Sequence, residues 1–253
     1  MIAIVGDIHG RFKELYEKIS MIENEIGQNI ESIILLGDVM PIRNEKDLEN
    51  SFVKEKYKNL ELYSYREFYK RGFVPKKTYF IGGNHEPYCY LGEEKKELIE
   101  NLVYLGRVGK FKLNNLEFTY LSGIYSPKHY NNIKNSKEDK RYKLKHYSTN
   151  EDCSSKNIIY FNKRHLSKLE QLLNHSDILL LHEHLQINPK ENKRITPLDE
   201  IVEKKRPSHI FLGHLHMFKE YEYKGIKLTY LSKFPNKNSI YIIDKKGEKR
   251  YIF

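Results

Sequence analysis

Cysteine is scarce in this chain. Cys89 and Cys153 are the only two among 253 residues, and no CxxC spacing occurs. That excludes a disulfide framework and leaves no thiolate set for a soft metal. The simplest expectation is a reduced, cytosolic protein. Long apolar runs are missing as well: none approaches the ~20 residues of a membrane span, and Met1–Gly6 turns polar too soon for a signal peptide. Repeats and a clear domain boundary are absent. Acidic charge is in deficit, with 34 Asp plus Glu against 44 Lys plus Arg and a net charge of +10. That balance favours polyanionic partners, nucleic acid first, and bears on association rather than fold. With 39% hydrophobic residues a sizeable core can form, and the length suits a single α/β domain covering 1–253.

What is present begins with Ile2-Ala3-Ile4-Val5, a buried strand running into Gly6-Asp7-Ile8-His9-Gly10. Apolar residues at Phe12, Leu15, Tyr16, Ile19, Ile22 and Ile26 mark one face of a helix that Gly27 stops. The run Ile33-Ile34-Leu35-Leu36 then leads into Gly37-Asp38. Strand, helix, strand predicts a βαβ unit and a parallel sheet, whose ligands gather at the carboxyl ends of the strands. Helical insertions are expected over 44–72, a strand over 78–81, a helix over 93–101, and strands over 102–105, 108–113 and 116–121. Residues 126–158 lose apolar periodicity and interleave Lys128, Lys140, Arg141, Lys143 and Lys145 with Tyr130, Tyr142 and Tyr147. They read as a long basic loop suited to gripping phosphates and stacking on bases. A helix over 162–174, a strand over 178–181, a helix over 198–205 and a strand over 209–212 follow. The tail, 218–253, is expected to form an antiparallel meander closing a second sheet.

Five of these strands end in potential metal ligands: Asp7 and His9; Asp38; Asn84, beside His85; His182; and His214 and His216. A lone histidine at a strand end is ordinary, but five coincidences at one sheet edge point to metal binding. Carboxylate, imidazole and amide donors suit Mn²⁺, Fe²⁺ or Zn²⁺. Seven ligands are too many for one ion with an open position, and fit two ions about 3.5–4 Å apart sharing a carboxylate.

Asp7-x-His9, Gly37-Asp38, Gly83-Asn84-His85-Glu86, His182 and Gly213-His214-Leu215-His216 together resemble the signature of the calcineurin-like metallophosphoesterases. Within that superfamily, Arg43-Asn44-Glu45-Lys46-Asp47-Leu48, Phe80 to Glu86, and Ser122-Gly123-Ile124-Tyr125 with His129-Tyr130 are similar to the RNA lariat debranching enzymes, which hydrolyse 2′–5′ phosphodiester bonds. The resemblance implies a four-layer α/β/β/α sandwich of two mixed sheets flanked by helices, with two divalent ions bridged by Asp38. Asp7, His9 and His216 would complete one position; Asn84, His182 and His214 the other. His85 would contact the phosphate and protonate the leaving oxygen, Glu86 would orient that ring, and Arg43 would neutralise substrate phosphate. The subfamily's lariat-recognition loop corresponds in place to 126–158, making Tyr125, His129, Tyr130, Lys140, Arg141 and Lys143 candidate substrate contacts. Asp7 stands where many debranching enzymes carry Cys, which keeps the general family's ligand set.

The leading expectation is thus a two-metal phosphodiesterase acting on nucleic acid, RNA above others, without membrane association. A phosphomonoesterase is the rival enzyme, and a non-catalytic RNA-binding module the rival of another class.

Overall fold

A computed structural model of the chain describes residues 1–131, 158–175, 177–187 and 195–253. Its architecture follows from strands that are apolar on both faces. In β1 (Ile2–Val5), Ile2 and Ile4 point to one core while Ala3 and Val5 point to another. The same alternation runs through β2 (Ser32–Leu35) and β7 (Ile178–Leu181). Such two-faced burial is what a sheet covered on both sides requires. At roughly 1.5–3 kcal/mol per buried aliphatic side chain, it is the main source of stability.

The strands build two mixed, six-stranded sheets. The first has the order β12 (Lys249–Ile252), β11 (Ile240–Ile243), β1, β2, β3 (Phe73–Phe80), β4 (Lys96–Tyr104). The second has the order β5 (Val108–Leu113), β6 (Leu116–Leu121), β7, β8 (His209–Leu212), β10 (Ile226–Tyr230), β9 (Lys219–Tyr223). They face each other across a core containing Ile4, Ile34, Phe118, Leu180, Phe211 and Tyr241.

Helix α1 (Phe12–Ile26) covers the first sheet's outer face through Phe12, Leu15, Tyr16, Ile19 and Ile22, and Gly27 ends it in a left-handed turn. Two further short helices, α2 (Glu45–Glu49) and α3 (Tyr65–Arg71), lie within the 44–72 insertion, and α4 (Tyr88–Leu91) and α5 (Pro127–Tyr130) follow later loops. Helices α6 (Lys163–Leu172) and α7 (Pro197–Lys205) cover the outer face of the second sheet. Asn162 caps α6 and Thr196 caps α7, each by a reciprocal capping box. The result is the expected four-layer α/β/β/α sandwich.

Two expectations are corrected. Residues 96–104 are strand β4, not helix: pairing to β3 outweighs a sequence whose apolar residues also fit helical spacing. The tail is not one meander. Strands β9 and β10 extend the second sheet, while β11 pairs antiparallel with β1 and carries β12 to the first sheet. No helix among the described residues is long and apolar enough to cross a membrane.

Candidate metal centre

Strands β1, β2 and β3 of one sheet and β7 and β8 of the other stop at a common end, and the expected ligands converge there. The expected single sheet edge is therefore two edges brought together. The backbone is held tightly at this point. His9, Asp38, His214 and His216 all have positive φ, at 44°, 48°, 69° and 56°. Non-glycine residues reach that region at a cost, and the cost is tolerated where geometry is functional. Glycine makes the room: a Cβ on Gly83 would lie 2.2 Å from Asp38 Oδ1, and one on Gly213 would lie 2.5 Å from Asp7 Oδ1.

The side chains form two donor groups, Asp7–His9–Asp38–His216 and Asp38–His182–His214, with Asp38 in both and donor atoms within 4.8 Å of one another in each. In the first, His216 Nε2 is 3.0 Å from Asp7 Oδ2 and 3.2 Å from His9 Nε2. In the second, His182 Nε2 is 3.1 Å from Asn84 Oδ1, 3.4 Å from Asp38 Oδ1 and 3.2 Å from His214 Nδ1. The other nitrogen of His182 lies 2.8 Å from the Leu36 carbonyl oxygen. A carbonyl can only accept, so Nδ1 donates and the Nε2 lone pair of the neutral ring faces the cluster. Acceptor atoms of Asn84, Asp38 and His182 thus converge on the cluster.

The titration tendencies agree. Burial alone would lower the His182 pKa, but Asp38 and Asp7 outweigh it and raise it. Burial alone would raise Asp38, but His182, His85 and His9 hold its carboxylate well below the usual range. His9 is pushed down to about 4, chiefly by burial, and burial with His182 lowers His214, leaving both rings neutral donors near pH 7. Imidazole, carboxylate and amide donors with no thiolate fit a hard or borderline divalent ion.

His85 stands beside the cluster. Its backbone N–H donates to Asp38 Oδ1 at 2.8 Å, and its ring Nε2 is 3.9 Å from Asp38 Oδ2. Ring Nδ1 is bonded to the Phe52 carbonyl, which fixes the tautomer as at His182. Glu86 does not orient this ring, correcting the expectation. Fully buried, it accepts from the backbone N–H groups of Val39 and Met40 at 2.8 Å each and of Gly83 at 3.2 Å. It therefore clips the Asp38 loop to the Asn84 loop. Burial, with Asp38 nearby, pushes its pKa up to about 7.

Arg43 is also held by its neighbours. Its Nε and Nη2 donate to the two carboxylate oxygens of Asp47 at 2.7 and 2.8 Å, and its guanidinium stacks 3.5 Å over the Tyr90 ring. It is engaged in a structural ion pair.

Of the expected loop contacts, Lys140, Arg141 and Lys143 lie outside the described residues. Tyr125 packs against Phe161 and Tyr130, and His129 stacks on Tyr160 with ring centroids 4.3 Å apart. The backbone N–H of Tyr125 donates to Glu183, next to His182 in sequence. Sequence reasoning missed Glu183 and Phe52. A carboxylate adjoining a ligand was a signal for the first. Nothing signalled the second, because any residue supplies a carbonyl.

Residues 1–218 match the family profile described as calcineurin-like phosphoesterase. A lariat debranching enzyme of Drosophila pseudoobscura pseudoobscura is 30% identical over 238 residues, covering 85% of this chain and 42% of that protein. One from Arabidopsis thaliana is 28% identical over 238 residues, with 85% and 54% covered. The chain thus spans about half the length of these relatives. A solved crystal structure superposes with a TM-score of 0.55 at 11% identity, covering 98% of this chain and 96% of the other.

Proposed function

Because the chain belongs to the calcineurin-like phosphoesterase family, we propose that it is a two-metal phosphodiesterase acting on RNA, with 2′–5′ branch points as the favoured linkage. The observation that carries this reading is the pair of donor groups sharing Asp38. The branch-point preference is supported by the debranching relatives.

Asp38 would bridge two divalent ions, Mn²⁺, Fe²⁺ or Zn²⁺, with Asp7, His9 and His216 on one side and Asn84, His182 and His214 on the other. When bound, the ions supply Lewis acidity, acidifying a water toward neutral pH and drawing charge from the phosphoryl oxygens. The protein supplies orientation. Leu36 fixes the His182 ring, Glu86 holds the Asp38 and Asn84 loops in register, and the positive-φ residues aim their donors inward. His85, anchored at Nδ1, would, in its doubly protonated form, give the Nε2 proton to the oxygen that departs as the P–O bond breaks. Tyr125, His129 and Tyr130 would border the substrate path.

With Mn²⁺, the expected result is faster hydrolysis of bis-p-nitrophenyl phosphate than of p-nitrophenyl phosphate, and cleavage of a branched RNA while a linear 3′–5′ control survives. A clear monoester preference would make the chain a phosphomonoesterase. Equal cleavage of both RNAs would reduce it to a general nuclease, and RNA binding without turnover would make it a binding module.

A further inference from the structure

Beside the metal centre, the segment 52–57 carries its own aromatic and basic surface. Phe52 is 43% exposed, and its ring lies within 16° of parallel to the His85 ring, with centroids 6.5 Å apart. Its carbonyl is the acceptor that anchors His85, so the segment is physically continuous with the centre. Five residues on, Tyr57 is 48% exposed, with the Lys56 ammonium 4.8 Å from its ring centre. The Tyr57 backbone is pinned, its carbonyl accepting from the Tyr63 hydroxyl at 2.8 Å.

Lys54, two residues beyond Phe52, is exposed as well. Glu55, the acid within the segment, pairs with Lys58 at 3.0 Å. Lys54 and Lys56 make no ion pair among the described residues.

Exposed aromatic faces interleaved with uncompensated ammonium groups are how proteins hold single-stranded nucleic acid, bases on rings and phosphates on lysines. We propose that Phe52, Tyr57, Lys54 and Lys56 form a single-strand binding surface that carries the nucleotides flanking the scissile phosphate. This rests on the nucleic-acid phosphodiesterase reading and extends it by giving the strand a path along residues 52–57. The exposure of Phe52 beside a proton-carrying histidine then has a use, since a base stacked there places the adjoining phosphate near His85.

The chain contains no tryptophan, so Phe52→Trp introduces a single reporter at this position. In the metal-loaded protein, titration with a short single-stranded oligoadenylate carrying hydrolysis-resistant phosphorothioate linkages should quench its emission. Phe52→Ala with Tyr57→Ala should weaken binding of the same oligonucleotide about tenfold or more. Lys54→Ala and Lys56→Ala together should lower the slope of log affinity against log salt by about 1.4. Affinity within twofold of the parent in the aromatic variant, together with an unaltered salt slope, would overturn the proposal. So would equal quenching by an acidic phosphopeptide. Parent protein that binds the oligonucleotide yet hydrolyses no phosphodiester would sink the catalytic reading while leaving the binding readouts to decide this surface.

Discussion

At the scale of single residues, the centre depends on where protons and lone pairs are placed. His85 is held by the Phe52 carbonyl with its free nitrogen on the Asp38 side. If it protonates the leaving oxygen, His85→Ala should lower kcat by about 10² to 10⁴ for a nucleoside leaving group. The loss should be much smaller for p-nitrophenolate, which departs without a proton. Equal losses for the two substrates in steady-state assays would assign His85 to binding alone. Gly83 offers a purely steric test. Gly83→Ala drives a Cβ to within 2.2 Å of Asp38 Oδ1, so metal affinity, followed by calorimetry with Mn²⁺, should fall about 10- to 100-fold. The candidate ligands stood out in the sequence because each follows an apolar run and most adjoin a glycine. The left-handed backbone at His9, Asp38, His214 and His216 was not, since nothing in those residue types demands it. The partners of Arg43 and Glu86, Asp47 and three backbone N–H groups, were not legible for a related reason: they are set by loop conformation.

At the scale of elements, the helix and strand signals differ in how well they survive tertiary context. The apolar stripe of α1 matched Phe12–Ile26 because a helix is specified by its own face. Strand β4 did not announce itself, since Leu98, Ile99, Leu102 and Val103 fit either period and the choice was made by pairing with β3. Strand β8 carries a testable consequence far along the strand from the ligands. His209 at its start packs on Phe211 and bonds to Thr229 Oγ1 at 2.8 Å. Burial, then Lys227, pushes its pKa down from 6.5 to about 3. Between those values the unfolded chain binds a proton that the folded chain refuses, so stability falls as pH drops below 6.5. Over pH 6.5 to 4.5 this contribution is at most about 2.7 kcal/mol. Urea unfolding of His209→Gln should show a correspondingly smaller acid loss than the parent; parallel losses would remove His209 as the cause.

At the scale of the whole molecule, the sandwich brings together ligands that neither sheet holds alone. Asp7, Asp38 and Asn84 come from the first sheet, and His182, His214 and His216 from the second. The βαβ opening made the first sheet readable. The division of the tail between sheets was not, because β9 to β12 are short and alternate in a way that suits either partner. Metal binding should therefore couple directly to the packing of one sheet on the other. The measurement that bears most directly on the account is hydrolysis of bis-p-nitrophenyl phosphate by chelator-stripped protein titrated with Mn²⁺. The account predicts negligible hydrolysis after stripping, rising to a plateau at about two equivalents per chain, and almost none at any Mn²⁺ level for Asp38→Asn. Hydrolysis that survives stripping, or an Asp38→Asn protein that recovers the parent's rate, would contradict it.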